Sequence, residues 1–100
     1  MFKFNFSVRA YHTARRYGLP HFEEWNTIPD EIMREICRNA ADSILANKRS
    51  CNVAIELYRA AGLGVYNIDQ TLLEMGWIVD FNKLRRDCNK FDQRLHESLN

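Results

Sequence analysis

The sequence predicts an all-α fold, a compact bundle of four to five short helices with an N-terminal extended arm or single strand. Three observations lead there. Apolar residues recur at helical spacing, most clearly Ile32, Ile36, Ala40 and Ile44 beside Met33, Cys37, Ala41 and Leu45. Helix-stopping residues interrupt this pattern at short intervals, at Gly18, Gly62, Gly64 and Gly76. Strand-like alternation is confined to the first eight residues. With no repeat and no linker, residues 1–100 read as one helical domain, with 1–8 as the arm and 80–99 as a long C-terminal amphipathic helix.

In the arm, Phe2, Phe4, Phe6 and Val8 alternate with Lys3, Asn5 and Ser7. A lone strand leaves its backbone groups unpaired. The segment therefore pairs with another chain, or it lies extended with its phenylalanines plugging the core. Ser7 is placed to cap a helix over residues 8–17, closed by Gly18 with Pro20 beyond. Residues 21–26 are short, aromatic and acidic. Thr27-Ile28-Pro29-Asp30 then reads as a helix start, with Thr27 as the cap, an acid three residues on and Pro in the first turn.

After the polar turn 47–50, Ser50 is the next cap candidate. Val53, Ala54, Leu57, Ala60 and Ala61 mark a third helix that stops at Gly62 or Gly64. Asn67-Ile68-Asp69-Gln70 resembles a capping box for a fourth, which carries Leu72, Leu73 and Met75 and closes at Gly76. Trp77-Ile78-Val79 connects to Asp80, the expected cap of the last helix. Phe81, Leu84, Cys88, Phe91, Leu95 and Leu99 follow in steps of three and four, close to a heptad seam.

The 100 residues hold 14 Lys and Arg against 13 Asp and Glu, a net charge of +1. That balance excludes a globally basic nucleic-acid coater and an acidic DNA mimic. The charge is laid out in blocks. Residues 1–22 carry Lys3, Arg9, Arg15 and Arg16 and no acid, whereas 23–35 carry five acids against Arg34. Residues 60–82 hold only acids, and 83–94 hold five bases against Asp87 and Asp92. Either the blocks neutralise one another within the fold, or they leave a bipolar surface for a charged partner.

Cys37, Cys51 and Cys88 have no CxxC spacing and read as free thiols, which points to a reducing compartment and a cytoplasmic location. Cys37 and Cys88 fall on apolar helix faces, as small core residues do. No stretch approaches the roughly 18–20 apolar residues of a membrane span.

Chemistry-bearing motifs are missing. There is no phosphate loop, no G-x-S-x-G, no H-E-x-x-H and no zinc-finger spacing. His21 with Glu24 is an isolated H-x-x-E pair, and Cys88 and His96 lie about 12 Å apart along a helix, too far to share a metal. No catalytic residue, cofactor or metal is assigned. The expected function is that of a small non-enzymatic interaction protein, which regulates or inhibits a macromolecular partner, most simply a protein, by occupying its surface. Accessory inhibitors and adaptors of phages and plasmids have this size.

The partner surface expected from the sequence combines Arg9, Tyr11, Arg15, Arg16, Tyr17 and Trp25, because Arg, Tyr and Trp anchor interfaces. Tyr11 and Arg15 share a helix face at i,i+4. The stripe Phe81, Leu84, Cys88, Phe91 and Leu95 reads as a core helix, a homodimer seam or a face for a partner's groove. The competing expectation is a dimeric, helix-turn-helix-like DNA-binding regulator over residues 57–73. Its recognition helix would present Asp69, Gln70, Thr71 and Glu74 without any Lys or Arg, against the need for phosphate contacts.

Overall fold

The computed structural model describes the backbone of residues 2–99 and the side chains of residues 2–93. Five α-helices and one 3₁₀ helix follow one another: α1 (Val8–Arg15), the 3₁₀ helix (Phe22–Thr27), α2 (Asp30–Ala46), α3 (Cys51–Ala60), α4 (Val65–Glu74) and α5 (Phe81–Leu99). No strand occurs among the described residues. The all-α expectation holds, and the alternating segment is a packed arm. Extension puts Phe2, Phe4 and Phe6 on one side of the chain. Phe2 and Phe4 are buried, and Phe2 and Phe6 both meet the Trp25 ring edge-on at centroid distances of 5.8 and 5.9 Å.

The arm ends where Ser7 caps α1, its Oγ accepting from the Ala10 N–H at 3.2 Å. Gly18, at φ 109°, turns the chain so that the Leu19 N–H returns to the Ala14 carbonyl, and Leu19 is fully buried. The backbone then tightens into the 3₁₀ helix. Here the sequence expectation for Thr27 is corrected. Its hydroxyl donates to the Glu24 carbonyl at 2.7 Å and closes the 3₁₀ turn, so it caps nothing in α2. Pro29 stands at the N-cap of α2 instead, without a side-chain bond, and its carbonyl takes the Ile32 and Met33 N–H groups. Asp30 and Glu31 in the first turn face the positive end of the helix dipole.

α3 is the centre of the molecule. Seven of its residues are buried, on nearly every face, and α2, α1 and α5 all pack against it, α2 most extensively. Ala40, Ala41, Ala54 and Ala60 at this junction let the helix backbones approach. α2 buries Met33, Cys37, Ile44 and Leu45 into the core, while Ile32, at the outer edge of the predicted stripe, stays exposed. Ser50 caps α3 as expected, accepting from the Val53 N–H. Beyond α3, Gly62 takes φ 90° and the Leu63 N–H closes onto the Tyr58 carbonyl.

The capping box expected at residues 67–70 is also corrected. α4 begins three residues earlier, with Gly64 as its extended N-cap and its carbonyl accepting from Ile68. Asn67 therefore lies inside the first turn, where its carbonyl receives the Thr71 hydroxyl. α4 packs chiefly on α5, whose first turn is capped by Asp80 Oδ1 at the Lys83 N–H. α5 sends Leu84, Cys88 and Phe91 into the common core.

Candidate docking face

Two concavities flank the start of α1. The first is an apolar groove of about 350 Å³ between the arm, α1 and the 3₁₀ helix. Phe4, Phe6, Val8, Tyr11, Phe22 and Trp25 form most of its wall, with Asn5 and His12 at the rim. Trp25 is held rigid: its indole N–H donates to the Pro20 carbonyl at 2.9 Å, and its ring meets Phe2, Phe6 and Tyr11. The Tyr11 hydroxyl accepts from the Phe22 N–H at 3.0 Å, which ties α1 to the 3₁₀ helix. Two apolar side chains project from this frame into solvent, Val8 at 75% and Phe22 at 53% exposure.

The second is a charged cleft of about 440 Å³ between the start of α1, α3 and α5. Arg9, Lys83 and Lys90 stand around it with Asn52 and Asp87, and Glu56 lies at its floor. Glu56 is a buried carboxylate. Its oxygens accept from the Ser7 N–H at 2.7 Å and the Ser7 hydroxyl at 3.1 Å, so α3 holds the junction of arm and α1. A negative group at a helix N-terminus is favoured by the dipole.

The residues expected to form one partner surface are divided by this geometry. Tyr11 and Trp25 meet in the apolar groove, at a ring distance of 6.2 Å. Trp25 is buried, however, and forms the wall of the groove; the expectation of an exposed anchor there is corrected. Arg9 lies on the other flank of α1, in the charged cleft. Arg15 is exposed but committed, donating from Nη1 to the Leu19 carbonyl at 2.8 Å. Arg16 is exposed, and Tyr17 is half-buried against the core. Sequence reasoning missed Val8 and Phe22 as the exposed apolar pair. Phe22 stands in the aromatic-acidic run 22–25, but only the 3₁₀ turn decides that Trp25 points in and Phe22 out.

The seam expected on the last helix is spent inside the chain. Leu84, Cys88 and Phe91 are core residues, and Phe81 is half-buried with its ring 5.2 Å from Tyr66. That matches the core-helix expectation, and burial leaves these three side chains little surface for a seam between copies. The side chains of Leu95 and Leu99 lie outside the described residues.

His21 Nδ1 lies 3.9 Å from the Glu23 carboxylate and accepts weakly from the Glu23 N–H, so the spaced pair His21 and Glu24 forms no joint site. Among the described residues, no group of three or more His, Cys, Asp or Glu side chains is arranged to hold a metal ion. Nor is any helix long and apolar enough to cross a membrane. Burial pushes the Cys37 thiol up to about 12 and raises Cys51 and Cys88 above the usual thiol range. These are poor nucleophiles near neutral pH.

The ion pairs among the described residues do not join the N-terminal basic block to the acidic block that follows it. Arg59 binds Asp92 across α3 and α5 at 2.6 Å, and Lys83 faces Asp87 within α5 at 3.9 Å. The chain matches no protein-family model, and no curated protein and no solved structure is significantly similar to it.

Proposed function

We propose that this chain is a small non-enzymatic interaction protein that regulates or inhibits a protein partner by occupying its surface. The observation that carries this reading is the apolar groove. Its Trp25 and Tyr11 walls are fixed by hydrogen bonds, yet Val8 and Phe22 remain in water beside it. A preorganised apolar concavity with exposed aromatic and aliphatic rims is the form of a protein-docking hot spot. A pocket held open in the free protein also lowers the ordering cost of binding.

The DNA-binding alternative draws less support. The surface of α4 offers Asn67, Gln70 and Glu74 and no cation, so electrostatics opposes its entry into a groove lined by phosphates. α4 also packs chiefly on α5, the helix that follows it.

The test is capture of partners from the native host, with identification by mass, by the wild type and by Val8→Asp and Phe22→Ala. Both side chains are more than half exposed, so each variant should keep its stability within about 0.5 kcal/mol. Both should lose the captured protein. Equal capture by wild type and variants would sink the proposal.

A further inference from the structure

Two basic blocks from opposite ends of the sequence meet at the charged cleft. Arg9 comes from α1, and Lys83 and Lys90 stand two turns apart on one face of α5. Lys83 is partly neutralised by Asp87. Arg9 and Lys90 form no ion pair and no side-chain hydrogen bond among the described residues. The deepest carboxylate, Glu56, is turned towards Ser7 and serves the start of α1. The rim of the cleft therefore presents cationic donors above a floor that is already bonded.

We infer that this cleft takes acidic side chains of the peptide segment that docks in the apolar groove. The inference rests on the reading of that groove as a docking face. The two concavities share the first turn of α1: Val8 lines the groove and the next residue, Arg9, lines the cleft. A chain crossing this turn places an apolar side chain against Phe22 and Val8. Its neighbouring Asp or Glu then reaches the Arg9 guanidinium, which donates two parallel hydrogen bonds to a carboxylate, and the Lys90 ammonium.

A peptide fits better than a nucleic acid. Single strands bind on aromatic platforms interleaved with cations. Here the aromatic groove lies on the other side of α1, and among the described residues the one aromatic lining the cleft, Phe91, is buried. Asp87 and Glu56 beside the cations would also repel a continuous run of phosphates, while leaving room for one or two carboxylates.

A phage-displayed random peptide library, selected on the immobilised full chain, tests this. Enriched peptides should pair a large apolar residue with nearby Asp or Glu. A synthetic copy of the top peptide should bind about tenfold more weakly to Arg9→Glu/Lys90→Glu, with most of its salt dependence gone. Arg9→Gln/Lys90→Gln should show a smaller loss in the same direction, and unchanged melting temperatures should verify both folds. Enriched peptides without acids, lost on Val8→Asp but indifferent to the double variants, would overturn the cleft and leave the groove standing. Acidic peptides that bind Val8→Asp as well as wild type would remove the groove from the pair. No enrichment, or tighter binding of a 20-mer DNA than of the selected peptide, would overturn the inference outright.

Discussion

At the scale of the residue, Glu56 carries more than its neighbours. It sits on a helix buried on nearly every face, where an acid is out of place unless bonded. Its carboxylate is acceptor to both Ser7 donors, so one side chain fixes the end of the arm and the start of α1. Glu56→Ala leaves the Ser7 N–H without that acceptor and should cost about 2 kcal/mol in urea denaturation. A loss below about 0.5 kcal/mol would show that the bond is dispensable. Among the aromatics the sequence was a poorer guide. Trp25 and Phe22 stand three residues apart with equal claims to exposure, and the 3₁₀ turn with the Pro20 acceptor settles which one is inside. Arg15 was legible as exposed, but its bond to Leu19 depends on the turn made by Gly18 and was not. Arg16 is thus the cleaner position for a charge reversal.

At the scale of the element, the helices were legible because several start and stop signals act locally. Ser7, Ser50 and Asp80 cap through bonds to residues three further on, and Gly18, Gly62 and Gly76 take positive φ after helix ends. Thr27 and Asn67 misled because a cap pattern in sequence does not say which turn it serves. Thr27 closes the turn before it, and Gly64 opened α4 ahead of Asn67. The α5 stripe was legible as apolar, while its partner was not, since periodicity identifies a face and not what covers it. The structure covers it with α3 and α4. Leu84→Ala should therefore lower stability by about 3 kcal/mol. Its melting temperature should fall by the same amount at low and high protein concentration. A deficit that vanishes on concentration would restore a seam between copies.

At the scale of the whole molecule, buried and half-buried protonated groups set the alkaline limit. The Cys37, Cys51 and Cys88 thiols are raised from 9.0, chiefly by burial, and the Tyr58 phenol from 10.0 by burial and by its hydrogen bond to Asp42. Each group holds its proton more tightly folded than unfolded. Their contribution is complete below pH 9 and declines as the unfolded chain begins to ionise while the native state does not. Stability should fall progressively from about pH 9 towards pH 12 in denaturation monitored by circular dichroism, following the shift of Cys37. A flat profile would contradict this, and Cys37→Ala should reduce the slope. The block pattern of charge was legible from the first count, but not that its two basic ends converge. That convergence depends on α1 and α5 packing on the same central helix, a tertiary fact no local pattern encodes.

The arm gives the groove a conditional existence. Phe4 and Phe6 supply one wall, and they belong to a segment with no helical hydrogen bonds of its own, held by aromatic packing and by the Ser7 junction. Such a segment opens more easily than the helices beneath it. Whenever the arm lifts, the groove loses a wall while the five α-helices stay intact. Occupancy of the groove and closure of the arm are therefore thermodynamically linked. A bound partner would protect residues 2–6 from proteases and amide exchange by the same free energy that a tighter arm would add to binding.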